Sequence, residues 1–89
     1  MSRKILNKRL DASAADQTHT LGSMISGISI YNNGDDDILV DFDHIIDGDS
    51  RLVPSGGSLN IGADFIDLHY QLASGGTAAT IYVTFIQNP

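Results

Sequence analysis

Residues 28–43 read ISIYNNGDDDILVDFD, and their pattern decides the fold class. Ile28 and Ile30 alternate with Ser29 and Tyr31. Ile38, Val40 and Phe42 alternate with Leu39, Asp41 and Asp43. An apolar period of two with charged residues between is the pattern of a half-buried antiparallel strand. Between the two runs stands Asn32-Asn33-Gly34-Asp35-Asp36, a dense turn signal, and Asn-Gly is the dipeptide of tight hairpins. The stretch therefore predicts a strand, a turn and a second strand.

The same logic extends outward. The first strand starts near residue 24, with Met24, Ser26, Ile28 and Ile30 on one face. Residues 44–57 read as a loop, broken by Asp47-Gly48-Asp49 and Pro54-Ser55-Gly56-Gly57. Residues 58–61 form a short strand with Leu59 and Ile61 inward. Residues 65–72 put Ile66, Leu68, Tyr70 and Leu72 on one face. Residues 77–87 put Ala79, Ile81, Val83 and Phe85 inward, against Thr80, Tyr82 and Thr84. Five strands with turn signals between them predict a small antiparallel β-sandwich or barrel. The expected core is Ile28, Ile30, Ile38, Val40, Phe42, Leu59, Ile61, Leu68, Tyr70, Ile81, Val83 and Phe85.

Composition agrees. All eleven acidic residues are Asp, and there are nine Gly and no Glu. Asp competes with helical backbone and favours turns, so no long helix is expected in the body. At 42% hydrophobic and 18% charged, the chain can fold. At 89 residues it is one domain, small enough to gain stability from assembly. With no cysteine it has neither disulfides nor thiolate chemistry.

Charge divides the chain in two. Arg3, Lys4, Lys8 and Arg9 lie in the first nine residues, and only Arg51 lies beyond them, against all eleven Asp. Phosphate is repelled by such a body, so no nucleic-acid partner is expected. No apolar run approaches the roughly 20 residues that span a bilayer, so no membrane partner is expected either. Residues 11–20, DASAADQTHT, are small and polar. The expectation is an extended N-terminal arm or linker over 1–20, followed by a β-sandwich domain over 21–89. Arg3, Lys4, Ile5, Leu6, Lys8, Arg9 and Leu10 combine cationic and apolar groups, which suits attachment to a neighbour.

Candidate chemistry is sparse. Asp35, Asp36, Asp37, Asp41, Asp43, Asp47 and Asp49 crowd one stretch, and calcium takes oxygen ligands from such loops. The spacing of a helix-loop-helix calcium site is missing, and with it the bidentate Glu. Turn chemistry and solvating charge account for the run, and no metal or cofactor is expected. Asp41, Asp43, Asp47 and Asp49 would be the first ligands to test. His19, His44 and His69 stand in unrelated surroundings. Ser55-Gly56-Gly57-Ser58 is a turn rather than a nucleophile elbow, and neither double glycine has phosphate-loop spacing. No enzyme is expected.

In order, ISIYNNGDDDILVDFD (28–43), RLVPSGGSLNI (51–61) and LHYQLASGGTAATIYVTF (68–85) resemble small β-sandwich proteins of tailed-phage virions. The resemblance covers about residues 24–87 and rests on strands and turns, not on a catalytic motif. It implies a non-enzymatic, multi-copy structural component located in the virion. Within that class it favours a head decoration (cement) protein bound to the major capsid protein or another virion protein, as a homo-oligomer with a trimer preferred. The alternatives are a collar, tail or fibre-attachment accessory protein. A reading from another class is a carbohydrate-binding module in which Tyr31 and Tyr82 stack on sugar.

Overall fold

In a computed structural model, the chain folds into seven strands. The structure describes residues 4–62, 64–73 and 79–87, with backbone only at 21–24. The strands are β1 (Lys4–Ala12), β2 (Gln17–Asn32), β3 (Ile38–Phe42), β4 (Arg51–Val53), β5 (Ser58–Ile61), β6 (Phe65–Leu72) and β7 (Ala79–Gln87). All pair antiparallel in the order β1-β7-β2-β6-β3-β4, with β5 also beside β2. No described residue is helical.

β2 turns this sheet into an enclosure. Its first part, Gln17–Thr20, pairs with β6, and its last part pairs with β7 on one side and β5 on the other. Between them lies an irregular stretch. Register shifts occur between Thr20 and Ile25 against β6, and between Ile25 and Gly27 against β7. An extra residue bends a strand and increases its twist. The bend folds the sheet over, so the His19 ring from one part of β2 stacks on Phe85 of β7, with centroids 5.8 Å apart. The chain after β1 then meets β6, where Leu72 N–H donates to the Ser13 carbonyl at 2.8 Å. The result is a small all-β, sandwich-like domain around one core.

That core contains nine of the expected residues: Ile28, Ile30, Ile38, Val40, Leu68, Tyr70, Ile81, Val83 and Phe85. Phe42, Leu59 and Ile61 are only partly buried and pack against it. Phe42 meets Phe65 edge to face, with centroids 4.9 Å apart.

Several expectations need correction. Residues 4–12 are not an arm ahead of the sheet but its edge strand, in continuous register with β7 from Lys4↔Gln87 to Ala12↔Ala79. The division between 20 and 21 falls inside β2. Leu10 is core, not attachment surface, and Ala12 is buried beside it. The physical reason is alternation: even positions of β1 turn inward, and the odd ones carry its polar outer face. Ile66 does not point inward. It is exposed, and Phe65 is buried instead, because β6 changes phase at the irregular stretch of β2. For the same reason Ile25 and Ile28 are both buried, which strict alternation forbids. The loop 44–57 contains a strand, β4.

Asn33-Gly34 does not close a hairpin. β2 and β3 are not neighbours; β6 stands between them. The turn residues carry the chain across the end of the sheet, and the buried Asn32 holds them. Its Nδ2 donates to the carbonyls of Asp36 (2.8 Å) and Val53 (3.1 Å), and its Oδ1 accepts from Gly34 N–H (3.0 Å). Its backbone exchanges bonds with the turn after β4, Asn32 N–H to Gly57 O and Gly56 N–H to Asn32 O. Gly56 takes φ 75°, a conformation suited to glycine.

Gly34 is required for space. A Cβ there would lie 2.6 Å from Ala79 Cα and 2.8 Å from its Cβ. Gly34→Ala must push the loop off β7 and is expected to cost about 1–3 kcal/mol. Chemical denaturation checks this: an unchanged midpoint would show that the loop can move freely.

Candidate functional site

Two surfaces carry the residues singled out from the sequence. One is the polar face where β2, β6 and β3 run side by side. Register aligns Thr18 with His69 and His69 with Asp41. The loop 43–50 closes over that row. Ser50 Oγ donates to Asp41 Oδ2 at 3.0 Å, and Ile46 N–H donates to Asp16 Oδ2 at 3.3 Å. Asp16 in turn pairs with His69 Nδ1 at 3.1 Å.

The crowded aspartates are largely occupied. Asp43, at φ 56°, accepts at Oδ1 from Ile66 N–H (3.0 Å) and Asp67 N–H (2.7 Å), so its side chain fastens the loop to β6. Asp37 accepts from Ser55 N–H, Asp41 from its neighbour Phe42 N–H, and Asp47 from Asp49 N–H. These are bonds by which Asp organises turns. Asp41, His44 and Asp47 do converge, with ligand atoms within 4.8 Å of one another. His44 Nδ1 lies 2.7 Å from the Ile45 carbonyl, so that nitrogen is the one that donates. That hydrogen bond, with smaller contributions from Asp47, Asp41 and Asp49, raises the His44 pKa against a small opposing effect of desolvation. Of the four aspartates named as first ligands, Asp43 and Asp49 stand outside this trio.

Thr18, His69 and Asp16 superficially suggest a nucleophile, base and carboxylate. Thr18 Oγ1 lies 3.3 Å from His69 Nδ1, and Asp16 approaches the same nitrogen. A proton relay needs the nucleophile on one ring nitrogen and the carboxylate on the other. The observed arrangement ties strands together and does not activate the hydroxyl.

His19 stands apart from both other histidines. Burial, and secondarily the charge of Lys8, lowers its pKa from the ordinary value of 6.5. The unfolded chain therefore takes up this proton more readily than the folded one. The stability associated with neutral His19 is complete above the unfolded value and is lost as pH falls below it, towards the folded value. Acidification from about pH 7 to pH 5 should lower the melting temperature of the native chain more than that of His19→Phe, which keeps a ring on Phe85. Equal acid sensitivity of the two would remove His19 as the cause.

The second surface is the outer side of β1, β7 and β2. Lys4, Ile5, Leu6, Lys8 and Arg9 are exposed on β1, with Ile5 at 69%. Leu10 is turned away into the core, and Arg3 lies outside the described residues. Arg9 aligns with Tyr82, and Tyr82 with Tyr31. Both tyrosines are a little under half exposed. Next to them an open cleft of about 400 Å³ is lined by Ser26, Ser29, Asn60, Thr84 and Ile86, among others. The sequence exposes these tyrosines through strand alternation. Their adjacency depends on pairing between strands fifty residues apart and has no local signal.

No protein-family pattern matches the chain, and no curated protein is similar to it in sequence. Its fold is similar to the crystal structure of protein NMB1881 from Neisseria meningitidis, with TM-score 0.59 and 14% identity over 97% of this chain and 83% of that one. It is also similar to an oxalate oxidase solved in complex with the substrate analogue glycolate, with TM-score 0.55 and 22% identity over 96% of this chain. The chain spans 43% of the oxalate oxidase's length. At these identities the likeness shows a shared β fold, and a fold by itself does not carry an activity.

Proposed function

We propose that this chain is a non-enzymatic structural protein of a tailed-phage virion, a head decoration protein that binds the capsid surface in multiple copies. The virion assignment rests on the order of strands and turns in residues 28–85. The observation that carries the attachment role is the exposed cationic edge strand β1 on an otherwise acidic body. Complementary charge speeds and orients docking, and the exposed apolar Ile5 and Leu6 slow release. The polar row at Thr18, His69 and Asp41 serves the fold in this reading. The experiment is to image purified particles with the chain tagged at its C-terminus. Label over the head supports decoration; label confined to the collar or tail favours an accessory role there. Absence from particles would overturn the virion reading altogether.

A carbohydrate-binding role is the second reading, favoured by the in-register pair Tyr31 and Tyr82 beside a cleft of small polar side chains. Aromatic faces pack on sugar rings, and the neighbouring hydroxyl and amide groups fix orientation. Titration with a panel of oligosaccharides, followed by amide chemical shifts, separates the two. Shifts confined to Ser29, Tyr31, Asn60 and Tyr82, and abolished in Tyr82→Ala, would establish the second reading.

A further inference from the structure

We infer that the free edge of β1 docks on the acidic edge of a second copy of this chain, so that copies join head to tail. In the sheet order, β1 and β4 are the two outermost strands. Among the described residues nothing pairs with the outer side of either. β1 offers nine residues without glycine, proline or a register shift. Such an edge is a template for another strand.

Charge selects the partner. Lys4, Lys8 and Arg9 are three of the four described cations, and all lie on β1. The opposite edge is bordered by exposed Asp47 and Asp49 before β4, and by exposed Asp35 and Asp37 in the loop that bonds to Ser55 after it. The minority charges also match, because Asp11 is the one acidic residue of β1 and Arg51 the one described cation near β4. Each edge adds exposed apolar groups, Ile5 and Leu6 on one and Ile45 and Leu52 on the other. Pairing β1 with β1 would set like charges across the strands, which is unfavourable. Edge lysines normally discourage stray pairing. Here they reject a like edge and accept an acidic one, which is how one charge pattern supplies both affinity and specificity. Contact between two different patches is heterologous, so it builds a ring where the rotation closes and an open chain where it does not. This inference stands on the edges themselves and extends the proposed attachment role to contacts between copies.

The test is sedimentation of the full chain and two double variants. The native chain should associate at about 0.01 M salt and dissociate at about 1 M, where charge attraction is screened. Lys8→Glu/Arg9→Glu and Asp47→Lys/Asp49→Lys should each weaken self-association by about tenfold or more. Mixing the two should restore a species of two chains, because one variant keeps the acidic edge and the other the cationic edge. Circular dichroism checks folding, and Lys8→Gln/Arg9→Gln replaces the charge reversal if that variant unfolds. A native chain that stays monomeric at low salt overturns the inference. So does either double variant that associates normally, or a mixture that gives no heterodimer. A chain that associates this way but is missing from particles would leave the interface standing and remove the virion reading. A monomer found on particles would do the reverse.

Discussion

A chain lacking residues 1–20 is expected to lose cooperative folding rather than shed a loose arm. The deletion removes the whole of β1, and with it the backbone partners of β7 from Ala79 to Gln87. It takes away the buried Leu10 and Ala12, and uncovers one side of the core around Ile81, Val83 and Phe85. It also removes Gln17–Thr20, which pair with β6, and the His19 ring that lies on Phe85. Losing Leu10 alone should cost about 2–5 kcal/mol. A domain of this size holds roughly 4–13 kcal/mol in total, at 0.05–0.15 kcal/mol per residue. The summed loss exceeds that reserve. Thermal denaturation followed at a far-ultraviolet band gives the answer, with Leu10→Ala in the full chain as a milder version of the same change. A truncated chain that melts where the native chain does would mean that β1 is dispensable.

Replacing Asn32 by Leu, nearly the same size, should destabilise the protein by about 3–5 kcal/mol. The site is fully buried, and the amide serves three backbone groups at once: the carbonyls of Asp36 and Val53, and Gly34 N–H. A buried polar group left without a partner costs about 1–3 kcal/mol, and Leu would strand all three. Asn32→Asp tests the same account differently. It keeps an acceptor for Gly34 N–H but loses both donated bonds and sets a carboxylate against two carbonyl oxygens. It should be no better than Leu at neutral pH and should recover partly in acid, when the carboxyl regains a donor. Urea denaturation at two pH values reads both effects. If both variants unfolded at the native midpoint, the loop after β2 would not depend on Asn32.

The tyrosine pair and the charged edges show how a surface can be present in a sequence without being readable there. Tyr31, Tyr82 and Arg9 each stand at an outward position of an alternating strand. That they form a single row follows from β7 lying between β1 and β2. Likewise the cations of residues 4–9 are visible in the chain, but their place on a sheet edge depends on pairing with residues 79–87. A strand with only two buried side chains has a weak apolar signal, and its charges pointed towards an arm.

The sequence by itself determined the all-β class, because alternation at period two needs no knowledge of partners. It also determined most of the core. Ile38 and Val40, Leu68 and Tyr70, and Ile81, Val83 and Phe85 are buried as their spacing demands. Tertiary structure alone decided which strands are neighbours. Asn33-Gly34 marks a turn, but β6 stands between β2 and β3, because long-range pairing buries more apolar surface there than a local hairpin would. Tertiary structure also decided where alternation breaks. At the bend of β2, closing the sheet over its core sets Ile25 and Phe65 inward and Ile66 outward. Alternation is a property of a straight strand. The bend is imposed by the layer opposite, and no short window of sequence contains both.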